Sequence, residues 1–293
     1  SAGSLKLNET GTVASTISMS GGVLDADESL AVSGALTQSG DITVDVADNK
    51  TLTYSGTAIS IGANTLTLSG GGTLGNTNAF VLNNATSKLL LNSITVGSVS
   101  TSLANSGLDV DANSTVTSLT VGHTTPVSIA SGITLSGGIT VTAGSIKLDE
   151  AGTLGSTVSM SGGTLDVDKT LTLSGALSHT ADITIDVKAG EVLTYSGAAV
   201  SLGAKTLTLS GGGTLGNTNA FVLNNASSKL LLNSITVGKV STSLANSGLD
   251  VDNNSTVTSL TVGHTTPVSI ASGITLSGAI TVTAGSIRLD EAG

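Results

Sequence analysis

Thr65-Leu66-Thr67-Leu68-Ser69-Gly70-Gly71-Gly72-Thr73-Leu74 recurs without change as Thr206-Leu207-Thr208-Leu209-Ser210-Gly211-Gly212-Gly213-Thr214-Leu215. Apolar and hydroxyl side chains alternate, three glycines interrupt, and the alternation resumes. A period of two sends every second side chain to the same face of a strand. Glycine tolerates the positive φ that a sharp corner needs. The stretch therefore reads as strand, corner, strand.

Working outward, apolar-x-apolar-Ser-Gly recurs at positions 17–21, 30–34, 52–56, 66–70 and 133–137. Each instance returns further on, at positions 158–162, 171–175, 193–197, 207–211 and 274–278. Further short strands are expected at positions 42–46, 89–91, 116–121 and 139–141, where β-branched residues dominate. No segment has the spacing, capping residues and length of a helix. Positions 2–142 align with 143–283 without a gap and differ at 30 places, 26 of them within 2–64. The expected organisation is one repeat over 1–142, a second over 143–283 and the start of a third over 284–293, in one continuous solenoid. The pattern begins and ends within a copy, as a window on a longer array would. Near-identity from position 65 onward is what recent duplication leaves, so it does not mark an active site.

Short strands, a corner roughly every 10–14 residues and a long repeat leave three architectures open. The expectation is an all-β, right-handed parallel β-helix of coils of about 20 residues, about seven to a copy. The alternatives are tandem β-sandwiches and a trimeric β-helix. A sandwich core about 10 Å thick needs bulky residues. Each copy has one Phe, one Tyr, one Met and no Trp, which suits a narrow bore filled by Leu, Ile and Val.

Residues 61–74, Ile-Gly-Ala-Asn-Thr-Leu-Thr-Leu-Ser-Gly-Gly-Gly-Thr-Leu, resemble the repeats of large bacterial surface β-helix proteins. Those include filamentous-haemagglutinin-like adhesins and autotransporter passengers. The resemblance implies an extracellular, elongated, structural or adhesive role, and it carries over no catalytic residue.

Composition narrows the chemistry. The chain has no Cys, so it has no disulfide or thiolate site. Ten Lys plus Arg against twenty Asp plus Glu give a net charge of −10, the opposite of a nucleic-acid footprint. Apolar runs of a few residues span no membrane. No basic segment followed by an apolar run opens the chain, so no signal peptide is expected within it. The expected partners are further copies of the repeat, end to end, together with cell-surface or extracellular ligands. Cut solenoid ends expose unpaired strand edges, so end-to-end association is expected.

Residues 70–75 and 211–216 match G-x-G-x-x-G. Dinucleotide binding needs a helix next and an acidic residue about 20 positions on, and neither is in the sequence. Asp25/Asp27, Asp109/Asp111, Asp166/Asp168 and Asp250/Asp252 are spaced i, i+2, so on a strand both carboxylates share a face. Paired carboxylates can serve a carbohydrate-active β-helix enzyme. Such a site also needs basic partners and aromatic platforms, and Arg288 is the only Arg. No enzyme is expected.

Calcium fits the acids better. Asp109, Asp111 and Asn113, with Asp250, Asp252 and Asn254, open like a D-x-D-x-N calcium loop. Ser114 and Thr120 then stand where Gly and the bidentate Glu belong. The competing reading is a solvated acidic edge. Thr-x-Thr pairs at 51/53, 65/67, 115/117 and 140/142 are spaced too unevenly along the chain for one pair per coil. A regular array could bind ice; cross-strand hydroxyl contacts explain these pairs otherwise. His123, His179 and His264 have no second His or Cys at ligand spacing. Asn83–Asn84 and Asn224–Asn225 can form corner ladders or ordinary turns.

Overall fold

The computed structural model describes residues 3–289. Among them there is no helix; every paired strand runs parallel to its neighbours, and the strands stack as a β-solenoid. The tandem-sandwich alternative is overturned. The chain divides into two compact units, which meet in sequence between Thr157 and Val158.

In the first unit one sheet is built from Ser4–Leu7, Gly22–Ala26, Ile42–Val46, Thr65–Ser69, Lys88–Asn92, Gly107–Val110, Thr125–Ile129 and Ser145–Leu148, in that order. Seven pairings join these strands, so one sequence period is seven coils. Ser145–Leu148 belongs to the second sequence copy, yet it pairs with Thr125–Ile129 of the first. Coil length varies, from the short step between Lys88 and Gly107 to the long one between Ile42 and Leu66. A coil is thus close to the expected length of about 20 residues. In the second unit Thr164–Val167, Ile183–Val187, Thr206–Ser210, Lys229–Leu232, Gly248–Val251, Thr266–Ile270 and Ile287–Leu289 follow one another likewise.

Alternation fills the bore. Leu24, Val44, Leu68, Leu91, Val110 and Ile129 form one inward column, each above its partner and at most 2% exposed. Leu30, Leu52, Leu74, Val96 and Val116 form a second column on the other sheet. Burying one such aliphatic side chain stabilises by about 1.5–3 kcal/mol. A parallel ladder gives each coil its hydrogen bonds only through the coils on either side, so stability is a property of neighbours.

The few large side chains are pinned. The Tyr54 hydroxyl donates to Thr57 O at 2.7 Å and accepts from Leu36 N at 3.1 Å. Tyr195 does the same with Ala198 O and Leu177 N, and burial pushes its phenol pKa up. Its ring stacks on Phe221 with centroids 6.3 Å apart.

Ser-Gly closes most strands as expected, but for two reasons. Gly70 has φ +105°, whereas at Gly34 a Cβ would lie 2.0 Å from Ser15 O of the preceding coil. The exceptions are positions 274–278, whose Ser277 and Gly278 lie inside the strand Leu276–Val282, and residues 133–137. There the strand Thr134–Val141 runs straight through Ser136 and Gly137, with a register shift opposite Val116 and Leu119.

Candidate functional site

The two large sheets differ in chemistry. In the first unit, the first sheet carries Lys6, Asp25, Asp45, Lys88, Asp109 and Lys147. Among the described residues of that unit, no strand of the second sheet contains Asp, Glu, Lys or Arg. That second wall carries hydroxyls in register instead. Thr51, Thr73, Thr95, Thr115 and Ser136 are successive ladder partners, one per coil. Reading Thr-x-Thr pairs along the chain hides this column, because its members lie on different coils.

Within the charged wall a shallow groove is lined by Thr86, Lys88, Asn105, Asp109, Pro126 and Asp149. The corresponding groove of the second unit has Ser227, Lys229, Asn246, Asp250 and Pro267. The strand Gly107–Val110 points Asp109 outward, between Leu90 and Ser128 of the neighbouring coils. Burial is the main cause that raises the Asp109 pKa; the Asp111 charge adds to it and Lys88 opposes it. Ser128 Oγ donates to Asp149 Oδ1 at 2.7 Å.

The calcium candidates divide. Asp109 is half-buried on its strand, whereas Asp111 and Asn113 are exposed at the corner that follows. The Asn113 Oδ1 accepts the Thr134 N–H of the next coil at 2.8 Å, and Asn254 accepts Thr275 N–H at the same distance. The third oxygen of the motif is therefore a coil-to-coil cap. Asp250 and Asp252 take the places of Asp109 and Asp111 in the second unit, Asp250 on the strand Gly248–Val251. Among the described residues no group of three or more His, Cys, Asp or Glu converges.

Other carboxylates are staples too. Asp41 and Asp182 accept Thr65 N–H and Thr206 N–H at 2.7 and 2.8 Å. Ser69 and Ser210 donate to Asp45 and Asp186 of the preceding coil. Glu191 accepts both the N–H and the hydroxyl of Thr170, which holds its carboxyl below the usual range. Asp25 and Asp27 flank Lys6 Nζ at 3.4 and 2.6 Å; these bonds, the one to Asp27 first, raise the Lys6 pKa.

The corner asparagines divide: one of each pair makes a local turn and the other reaches the backbone of the preceding coil. Asn84 Oδ1 accepts Thr86 N–H at 3.0 Å, while Asn83 Oδ1 takes Gly62 N–H of the preceding coil at 2.9 Å. Sequence reading missed the interior pair Asn76 and Asn217. Asn76 is 7% exposed and spends its whole amide on backbone. It donates to Asn78 O and Ser98 O at 2.9 and 2.7 Å and accepts Gly97 N–H at 2.9 Å. The signal to be read was an Asn at an inward position of an alternating strand, Thr73–Asn76. The G-x-G-x-x-G glycines lead into that strand and not into a helix. Compared with protein-family models, curated proteins and solved structures, the chain matches none.

Proposed function

We propose that the chain is a structural repeat segment of a secreted bacterial surface or extracellular fibre, supplying length and stiffness. One observation carries the reading: each coil is fastened to the next through its ladder, its aliphatic column and polar side chains that cap the neighbouring coil. In such a design length follows copy number. Seven coils at about 4.8 Å rise about 34 Å per copy. Electron microscopy of chains with two, four and six copies tests this. Rods lengthening by that increment support the reading, and a string of compact beads overturns it.

A second reading is adhesion, favoured by the recurrence of the Lys88–Asp109–Pro126 groove as Lys229–Asp250–Pro267. A weak site repeated once per copy gains strength through multivalency. Cell or glycan binding should then rise much faster than copy number, and Lys88→Ala with Lys229→Ala should remove it. Binding that stays proportional to copy number would sink this reading.

A further inference from the structure

We infer that the inward corner at His179 takes a single soft monovalent metal ion, Cu(I), between the imidazole Nε2 of His179 and the thioether of Met160. His179 ends the strand Leu177–His179, and its ladder partner on the preceding coil is Met160. Ladder partners in a parallel sheet stack on the same side, so the two side chains are neighbours. Met160 is fully buried.

The ring nitrogen Nδ1 lies 3.0 Å from Ala181 O. A carbonyl only accepts, so Nδ1 carries the hydrogen and Nε2 presents its lone pair. That is the posture of a metal-binding histidine, with a backbone carbonyl fixing the ring. The Nε2 is sealed from solvent and has no hydrogen-bond partner. A buried acceptor left alone destabilises the fold, and a ligand that takes the lone pair removes that loss. Asp182, three residues on, is engaged with Thr206 N–H.

Thioether and imidazole together select a soft d10 ion over the hard cations that the acidic corners would attract. The first unit supplies an internal comparison. Gln38 stands where His179 does, paired with Met19, and its Oε1 is likewise buried without a partner. An amide oxygen is a hard ligand, so this corner takes no Cu(I). A search for nearby His or Cys along the sequence misses the site, because its second ligand is a methionine one coil away.

The test is an anaerobic titration of the full chain with Cu(I) against a chromophoric chelator, together with nitrogen NMR of the imidazoles. The chain should hold one ion, with the Nε2 resonance of His179 shifting and those of His123 and His264 unmoved. His179→Gln, which installs the residue that the first unit already accommodates, should lose the ion while circular dichroism stays unchanged. Met160→Leu should lose it as well, and it decides the matter if His179→Gln unfolds. No retention against the chelator, retention in both variants, or an Nε2 shift that reports only a bound water overturns the proposal.

Discussion

At the scale of the residue, the same amino acid serves opposite purposes according to the coil beneath it. Gly137 has φ +117°, and a Cβ there would lie 1.8 Å from Val116 O; at Gly75 a Cβ would meet nothing within 4 Å. Gly137→Ala should therefore destabilise the first unit strongly, whereas Gly75→Ala should leave its thermal melt almost unchanged. Equal melts for the two variants would contradict this account. Asn76→Ala removes the acceptor of Gly97 N–H and the donor to the Asn78 and Ser98 carbonyls, and a buried N–H left alone costs about 1–3 kcal/mol. Hydrogen exchange should show the loss first at the Gly97 amide. Asn217→Ala should repeat it at Gly238, since Asn217 accepts that N–H at 2.9 Å.

At the scale of the element, a carboxylate that caps a coil and one that is half-buried on a strand respond to pH in opposite ways. The folded chain holds the Asp109 proton more tightly than the unfolded chain does, because burial raises its pKa above 3.8. Its contribution to stability falls as pH rises from 3.8 through the folded value. Asp109→Asn should thus melt above the parent at neutral pH and match it in acid. Glu191 has its pKa lowered from 4.5, so the stability it lends is present above 4.5 and is lost as pH falls through the folded value. Glu191→Gln should melt below the parent at neutral pH, and the gap should close in acid. Elements were also where the sequence was most legible. Ile42–Val46 and Leu30–Val32 lie where alternation and the Ser-Gly corner put them, because a period of two needs only local information. What escaped was everything set across coils. The hydroxyl column through Thr73 and Thr95, the capping role of Asn113 and the buried Asn76 all depend on which residue lies one coil away. That distance along the chain changes with the length of each corner, which alternation leaves open.

At the scale of the whole molecule, the outermost coils of the described residues show what a missing neighbour means. Ile280 and Val282 are 49% and 50% exposed, whereas Ile139 and Val141, their equivalents one copy earlier, are 2% and 0%. Leu5 is 43% exposed against 0% for Ile146. Unpaired parallel edges lined with aliphatic side chains recruit another chain. Sedimentation of residues 1–293 as an isolated segment should show mass rising with concentration, and Ile280→Lys with Val282→Lys should suppress it. A strict monomer at high concentration would count against the argument. The charged wall of the first unit bears on recognition as well. Followed rung by rung, Gly22 leads through Ile42, Leu66, Leu89, Leu108 and Val127 to Leu148. Leu148 is the counterpart of Leu7 in the next copy, yet Leu7 pairs with Ala26 and not with Gly22. That wall is thus a vernier, one scale counted in sequence and the other in rungs. A strand there and its repeat are out of line by about 13 Å along the strand direction, at about 3.3 Å per residue. A rigid partner that grips Lys6 and its counterpart Lys147 on that wall has to reach obliquely across it, and one shaped for a straight row finds only one of them.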